Sequence, residues 1–484
     1  MNPQLPPMPP VMPPNPSLRR RLREGMRSTL ALFQAGAFTL GGVGRHPLPV
    51  LPGSARRCAY TVREPDLIRE VLVGRSAEFP KSILMDNMLR DIIGSSLFLA
   101  NGETWRWRRA IVNPALQQAR VTAVFERMRE AGDAAVLRIG AASQAGPVRI
   151  DLEVTHFAAD VIFRTIFSEP IDPRVAPRII AAFETYQRLA YVHGLLEELH
   201  VPKVLRMGKG EKRRAAELIR SALKAPLDRR LALLRSGAPA PENDIAASLI
   251  SQSDPVTGRS LNDAELLDEV AMLFLAGHET SASALAWALY LLATNPAIQE
   301  RVLTEVEGKI GACAPQFGDM KKLVLTRNVF REALRLYPPV AVMPRDSVCP
   351  EQLADRKVEP GSVVFVTPWI MHRHERHWDN PNGFDPDRFE ADSARTAIRQ
   401  VYFPFSMGPR VCPGAAFALQ EATLLLAMLV RRYRFEADDT HRPDPVARLT
   451  LRSDNGVRLR VTPRDGAASS SGRTLEACAD LALR

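Results

Sequence analysis

Long apolar runs are missing from this chain of 484 residues. No stretch reaches the roughly 18 residues that a bilayer-crossing helix needs. The best candidate, TLALFQAGAFTLGG, is short and interrupted by Gln34. It follows a basic stretch, but the Pro-rich start MNPQLPPMPPVMPPNP makes a poor n-region and no A-x-A site follows, which argues against a signal peptide. Cysteine is scarce as well. Cys58, Cys313, Cys349, Cys412 and Cys478 stand far apart, odd in number and without a CxxC, so neither a disulfide framework nor a structural zinc knuckle is indicated. A reducing compartment, the cytoplasm, is the simplest setting. Aromatic residues make up only 6%, and no nucleic-acid motif accompanies the net charge of +10, so nucleic acid is not the expected partner. The basic residues are scattered and mostly arginine, which suits a docking face for an acidic protein.

Helical periodicity fills what is there. DPRVAPRIIAAFETYQRLAY and EKRRAAELIRSALKAPLDRRLALLRSG are amphipathic. LNDAELLDEVAMLFLAGHETSASALAWALYLLATNP opens on an Asn262/Asp263 cap signal and stops at Asn295-Pro296. Its centre, Val270 to Ala276, is apolar on every side, which places this long helix in the core. Strand-like stretches are short: CAYTV near residue 60, SVVFVTPW from Ser362 and GVRLRVTP from Gly456. The chain reads as mainly α with small β-sheets. The expected organisation is a Pro-rich flexible tail over 1–16, a single domain over 17–463 and a flexible tail over 464–484. The domain begins with an amphipathic helix able to touch a membrane surface.

One loop carries chemistry. In FPFSMGPRVCPGAAFALQ, Phe405, Gly408, Arg410, Cys412 and Gly414 form F-x-x-G-x-R-x-C-x-G. The glycines permit turns and close backbone approach. Pro413 suits the first position of the helix that AAFALQEATLLLAMLV supplies. The partial positive charge and free amides at that helix start would stabilise a Cys412 thiolate. Phe405 would shield the sulfur, and Arg410 offers a cation to an anion nearby. A buried cysteine in a turn is the plain alternative. A zinc site shared with His372, His374 and His377 of HRHERH is another, without recognisable zinc spacing.

The loop resembles the haem-binding loop of cytochrome P450 enzymes, in which the cysteine is the axial ligand of the iron. Further motifs follow in the family's order, from about Arg63 to Arg452. REALRLYPP places Glu332 and Arg335 three apart on one helix face, and FDPDRFEA supplies Arg388. The resemblance makes these three a buried structural triad that positions the cysteine loop. LFLAGHETSASA resembles the A-G-x-[DE]-T oxygen-binding segment, with Ala276, Gly277, Glu279 and Thr280 in register. A threonine there can bond back to a carbonyl one turn earlier, and a buried carboxylate needs partners. Trp105 and Arg109 in GETWRWRRAIVNPAL, Arg345 in YPPVAVMPRDS and Arg410 are the cations and support that the resemblance assigns to haem propionates.

The resemblance implies the cytochrome P450 fold: a triangular, helix-rich prism with haem b between the long central helix and the cysteine-loop helix. It implies a monomeric monooxygenase that inserts one oxygen atom from O2 into a hydrophobic small molecule, with Thr280 and Glu279 delivering protons. No flavin domain or iron–sulfur cysteine set is evident. Electrons from NAD(P)H are therefore expected through a separate reductase and a ferredoxin or flavodoxin. A peroxide-using peroxygenase or isomerase, and a non-catalytic haem sensor, are the rival readings. The expected substrate-pocket walls are residues 81–99, the helices around 173–210, the Ala276 region and 339–343. They are largely apolar, as for a fatty acid, terpenoid, steroid or polyketide.

Overall fold

The computed structural model of the chain describes residues 6–8, 27–29, 38–39, 41–47, 58–117, 122–198, 208–237, 239, 244–390, 398 and 400–464. The expected tails and first helix, and Cys478, lie almost wholly outside these residues. Of the N-terminal tail, Pro7 is buried, and its carbonyl accepts a hydrogen bond from the Tyr337 hydroxyl at 2.8 Å.

The fold is mainly helical. The helices that build the site are, in chain order, α1 (Ile83–Ile93), α2 (Gly102–Ala115), α3 (Ile150–Phe167), α4 (Ala176–Glu198), α5 (Asp263–Thr294), α6 (Val324–Leu336) and α7 (Ala415–Arg432). Helix α5 starts where the sequence says it should. Asn262 caps it by accepting from the Glu265 N–H while the Glu265 side chain returns to the Asn262 N–H. It ends at Asn295, before a proline-led helix over Pro296–Ile310. Between these stops it is buried along most of its length. Helix α3 lies along it, and Gly277 permits the approach: a Cβ there would stand 2.7 Å from Ile162 Cγ1. Trp287 of α5 stacks on Tyr337 with ring centres 3.9 Å apart. Burial of each large apolar side chain contributes about 1.5–3 kcal/mol, so packing rather than helix propensity holds α5 in place.

The strands of the described residues form small sheets. The largest pairs β1 (Val43–Pro47), β2 (Cys58–Val62), β3 (Met343–Asp346) and β4 (Val363–Val366) in the order β1-β2-β4-β3. In it, β2 and β4 run parallel, and β3 returns antiparallel with Arg345 opposite Val364. A hairpin of β5 (Pro445–Ala447) and β6 (Leu451–Ser453) brings its turn, Arg448–Thr450, against α5. CAYTV, SVVFVTPW and GVRLRVTP each contribute a strand, the last over Arg458–Pro463. Strands β1, β3, β5 and β6 were not foreseen in the sequence; β1 (VGRHP) and β3 (MPRD) carry glycine, proline and charge in place of a β-branched run.

Helix α7 packs against α5 through a buried carboxyl. The Ser281 hydroxyl donates to one oxygen of Glu421, the other oxygen has no partner, and burial pushes the Glu421 pKa up to about 8. The folded chain therefore holds a proton that the unfolded chain releases near the usual glutamate value. This contribution to stability is complete below that value and is lost as pH rises through about 8, by up to about 1.4 kcal/mol per pH unit. Glu421→Gln should flatten the pH dependence of the denaturation midpoint across that window. An unchanged slope would show that Glu421 is ionised in the fold.

Candidate active site

The loop that carries Cys412 is a tight turn held at both ends. Ser406 and Gly408 have φ of 63° and 70°. A Cβ at Gly408 would also stand 2.5 Å from the Leu72 carbonyl oxygen, so both backbone and packing demand glycine there. The Cys412 N–H donates to the Phe405 carbonyl at 2.9 Å and closes the loop. Two expectations need correction. Pro413 is not the first helical residue, because the chain is still turning out of the extended Val411 and α7 begins at Ala415 behind Gly414. Gly414 has φ −93°, and a Cβ on it would touch only Cys412 Sγ, at 3.9 Å, so close backbone approach does not require this glycine.

The thiol is open to a water-sized sphere yet lies deep in the protein mass, so the space it faces is inside the fold. Burial pushes its pKa up. A hydrogen bond from the Gly414 N–H and the charges of Arg109 and Lys81 oppose that shift and favour the thiolate.

A buried hub braces this loop. On α6, Arg335 grips Glu332 through two bonds of 2.8 Å, with both side chains fully buried. Arg388 adds a third bond at 3.0 Å, so the sequence-derived triad assembles. The remaining Arg335 donors hold the carbonyls of His372 (2.8 Å), Pro381 (2.6 Å) and Gly383 (2.8 Å). His372 then passes the constraint on, because its Nε2 accepts the Phe403 N–H at 3.0 Å, at the start of the cysteine loop. Burial, with Arg335 and Arg373 nearby, drives the His372 pKa down to about 3, which keeps the ring neutral and able to accept. His372, His374 and His377 form no metal-binding cluster with one another or with any Cys, Asp or Glu among the described residues.

Four cations meet beside the thiol. Arg109 of α2 donates to the Val411 carbonyl at 2.9 Å, and Arg410 to the Ala100 carbonyl at 2.8 Å and Asn101 Oδ1 at 2.9 Å. The Arg410 guanidinium also lies 4.2 Å from the centre of the Trp105 ring. Arg345 is buried on β3, and Lys81 forms a backbone bridge with it. Burial lowers all four pKa values, to about 10 at Arg345 and about 9 at Arg410. Arg345 and Arg109 lower Arg410 further, and the other three cations lower Lys81. No carboxylate of the described residues pairs with any of them. Four positive groups forced together under a thiol, without a countercharge, fit a dianionic planar guest such as haem with its two propionates. Lys81 was missed in the sequence, where it reads as one lysine before an apolar stretch.

Across α5 the acid and alcohol come together as expected. The Thr280 hydroxyl donates to the Ala276 carbonyl at 2.7 Å. Glu279 is buried, accepts the Thr450 hydroxyl at 2.6 Å and has Arg452 Nη1 at 3.7 Å. Both residues and Ala276 line an apolar cavity of about 210 Å³. All four expected wall segments contribute, including Met85, Met88, Phe183, Met272 and Val342; Thr29 and the Arg448–Thr450 turn were not foreseen.

Comparison with known proteins decides the family. A model of the Cytochrome P450 family matches residues 55–458. The chain belongs to the cytochrome P450 family. The P450 is 30% identical over 415 residues to cyclooctatin synthase of Streptomyces melanosporofaciens, covering 84% of this chain and 86% of the relative. It is 30% identical over 413 residues to cyclooctat-9-en-7-ol 5-monooxygenase of the same organism, with coverage of 84% and 86%. It is 29% identical over 409 residues to pentalenene oxygenase of Streptomyces avermitilis, with coverage of 84% and 88%. The P450 is thus an oxidoreductase of a haem- and O2-using family, and among the described residues no helix is long and apolar enough to cross a membrane.

The hub predicts two phenotypes. Glu332→Gln should lower stability by about 3–5 kcal/mol, the cost of stranding a buried charge. His372→Phe keeps the ring volume but leaves the Phe403 N–H unpaired, at about 1–3 kcal/mol. Denaturant midpoints and the fraction of haem retained after gel filtration measure both effects.

Proposed function

We propose that this P450 is a haem-thiolate monooxygenase acting on a hydrophobic, terpenoid-like hydrocarbon skeleton. The observation that carries the proposal is the Glu279–Thr280 pair on the wall of an otherwise apolar internal cavity. Cys412 would be the iron ligand. Arg109, Arg345, Arg410 and Lys81 would hold the propionates, and Trp105 steadies Arg410. Phe405 and Gly408 shape the loop, Gly414 donates its N–H toward the sulfur, and Ala276 keeps its part of the cavity wall small. Haem b would supply thiolate-assisted O–O cleavage and insertion of one oxygen atom into a C–H bond.

The chain's own residues do the rest. The Gly414 amide and the flanking cations favour the thiolate against the burial that raises the Cys412 pKa. Thr280, held by the Ala276 carbonyl, presents its oxygen to the cavity, and Glu279 supplies protons from behind it. The apolar walls exclude bulk water and orient the substrate by shape, and the methionines adapt to its contour. Two of the relatives take their names from cyclooctat-9-en-7-ol and pentalenene, which supports a substrate with a largely hydrocarbon skeleton. Electrons come from NAD(P)H through a reductase and an acidic ferredoxin or flavodoxin, which the net charge of +10 would attract to a monomeric cytoplasmic enzyme.

The reduced holoenzyme with carbon monoxide should absorb at the thiolate-ligated position, and Cys412→Ala should abolish that band. In turnover with a redox chain, Thr280→Ala should divert electrons from product to peroxide while the spectral substrate dissociation constant stays the same. Unchanged coupling would favour the peroxide-using or sensor readings. Electron delivery should slow as salt rises through the range where the Debye length falls to about 8 Å.

A further inference from the structure

Glu279 divides two spaces. One is the substrate cavity, and the other is a separate void of about 20 Å³ that also touches Asp151, Ser283, Arg452 and Ser453. That volume exceeds the roughly 10–15 Å³ that one water requires, and the lining is polar enough to bond it. Arg452, which touches the void, also reaches Glu184 at 2.9 Å, and the Glu184 side chain is 43% exposed. Toward the cavity, the Glu279 carboxyl is fixed by the Thr450 hydroxyl at 2.6 Å, and Thr450 sits in the Arg448–Thr450 turn that forms part of the substrate wall.

We infer that Thr450 is a positioning residue that sets the Glu279 carboxyl between the two spaces, and that the acid is recharged from the void behind it. The inference rests on the reading above that Glu279 supplies protons. Each proton leaving the carboxyl toward Thr280 is replaced by one from a water in the void, and that water is restored from solvent past Arg452 and Glu184; no electrons move. Because the turn bearing Thr450 is also cavity wall, a substrate that seats against Arg448 and Leu449 fixes the turn and with it the acid. Three elements of distant sequence meet in this arrangement: α3 through Asp151, α5 through Glu279 and β6 through Arg452.

The test uses ferric and dithionite-reduced holoenzyme and needs no substrate. Glu279→Gln first identifies the carboxyl band of Glu279 in infrared difference spectra in H2O and D2O. Thr450→Val should shift that band and slow O2-driven reoxidation of the reduced enzyme by about tenfold, a fraction of the 10²–10⁴ that general acid catalysis contributes. Thr450→Ser should restore both. Ala286→Val, which fills the void from α5 and leaves the Thr450 bond untouched, should slow reoxidation without moving the band. It also keeps the test alive should Thr450→Val lose haem. If Thr450→Val leaves band and rate unchanged, or if serine fails to rescue, the inference is overturned. If Glu279→Gln itself leaves the rate unchanged, the proton-supplying role of Glu279 falls instead, so the two failures are told apart.

Discussion

The grip of Arg335 on Glu332 is the contact on which the site depends. Two fully buried charges are costly to place in a protein interior and hold only when every lone pair and donor is used. Here they are used. Glu332 also takes Arg388 and the Asp385 N–H, and Arg335 takes three carbonyls spread over residues 372–383. A weak stabiliser as an isolated pair becomes a fixed node for the segment from His372 to Arg388. The His372 ring then ties that node to Phe403, so the cysteine loop is positioned from α6 rather than from α7 alone.

The opposite electrostatic situation lies beside the thiol. Besides burial, Arg345 and Arg109 lower the Arg410 pKa, those three lower that of Lys81, and none of the four meets a carboxylate of the described residues. Such an arrangement is unfavourable for the protein alone and favourable with a dianion among them. Stability and cofactor binding are therefore coupled, as mass action requires whenever a guest binds only the folded chain. The hub and the cation cluster differ in kind: one pairs its charges internally and sets geometry, the other is hydrogen-bonded but left without a countercharge.

Much of this could be read from the sequence because it is local. The Asn262 cap, the Glu332–Arg335 spacing, the back-bond of Thr280 and the turn at Gly408 each follow from residues within one or two turns of each other. What was missed comes from distant chain segments. Lys81 becomes meaningful only when an isolated bridge sets it beside Arg345, His372 only when Phe403 arrives, and Thr450 only when a short hairpin reaches α5. The errors at Pro413 and Gly414 have a different origin. Residue preferences at helix starts say where a proline fits, not how far the chain must turn after Gly408–Arg410 before the first helical bond closes.

The hairpin has one more consequence, for how the molecule is made. Cys412 and the Arg448–Thr450 turn lie late in the chain, whereas Lys81, Arg109 and the first cavity wall lie early. Synthesis at about 5–20 residues per second lets the early helices collapse while the thiol is still inside the ribosome. The half-built cation cluster and the open α5 groove must therefore wait for the last strands. Closure of the cavity is then a late event of biosynthesis, and a chain stalled before β5 would carry Cys412 but not the Thr450 hydroxyl that meets Glu279.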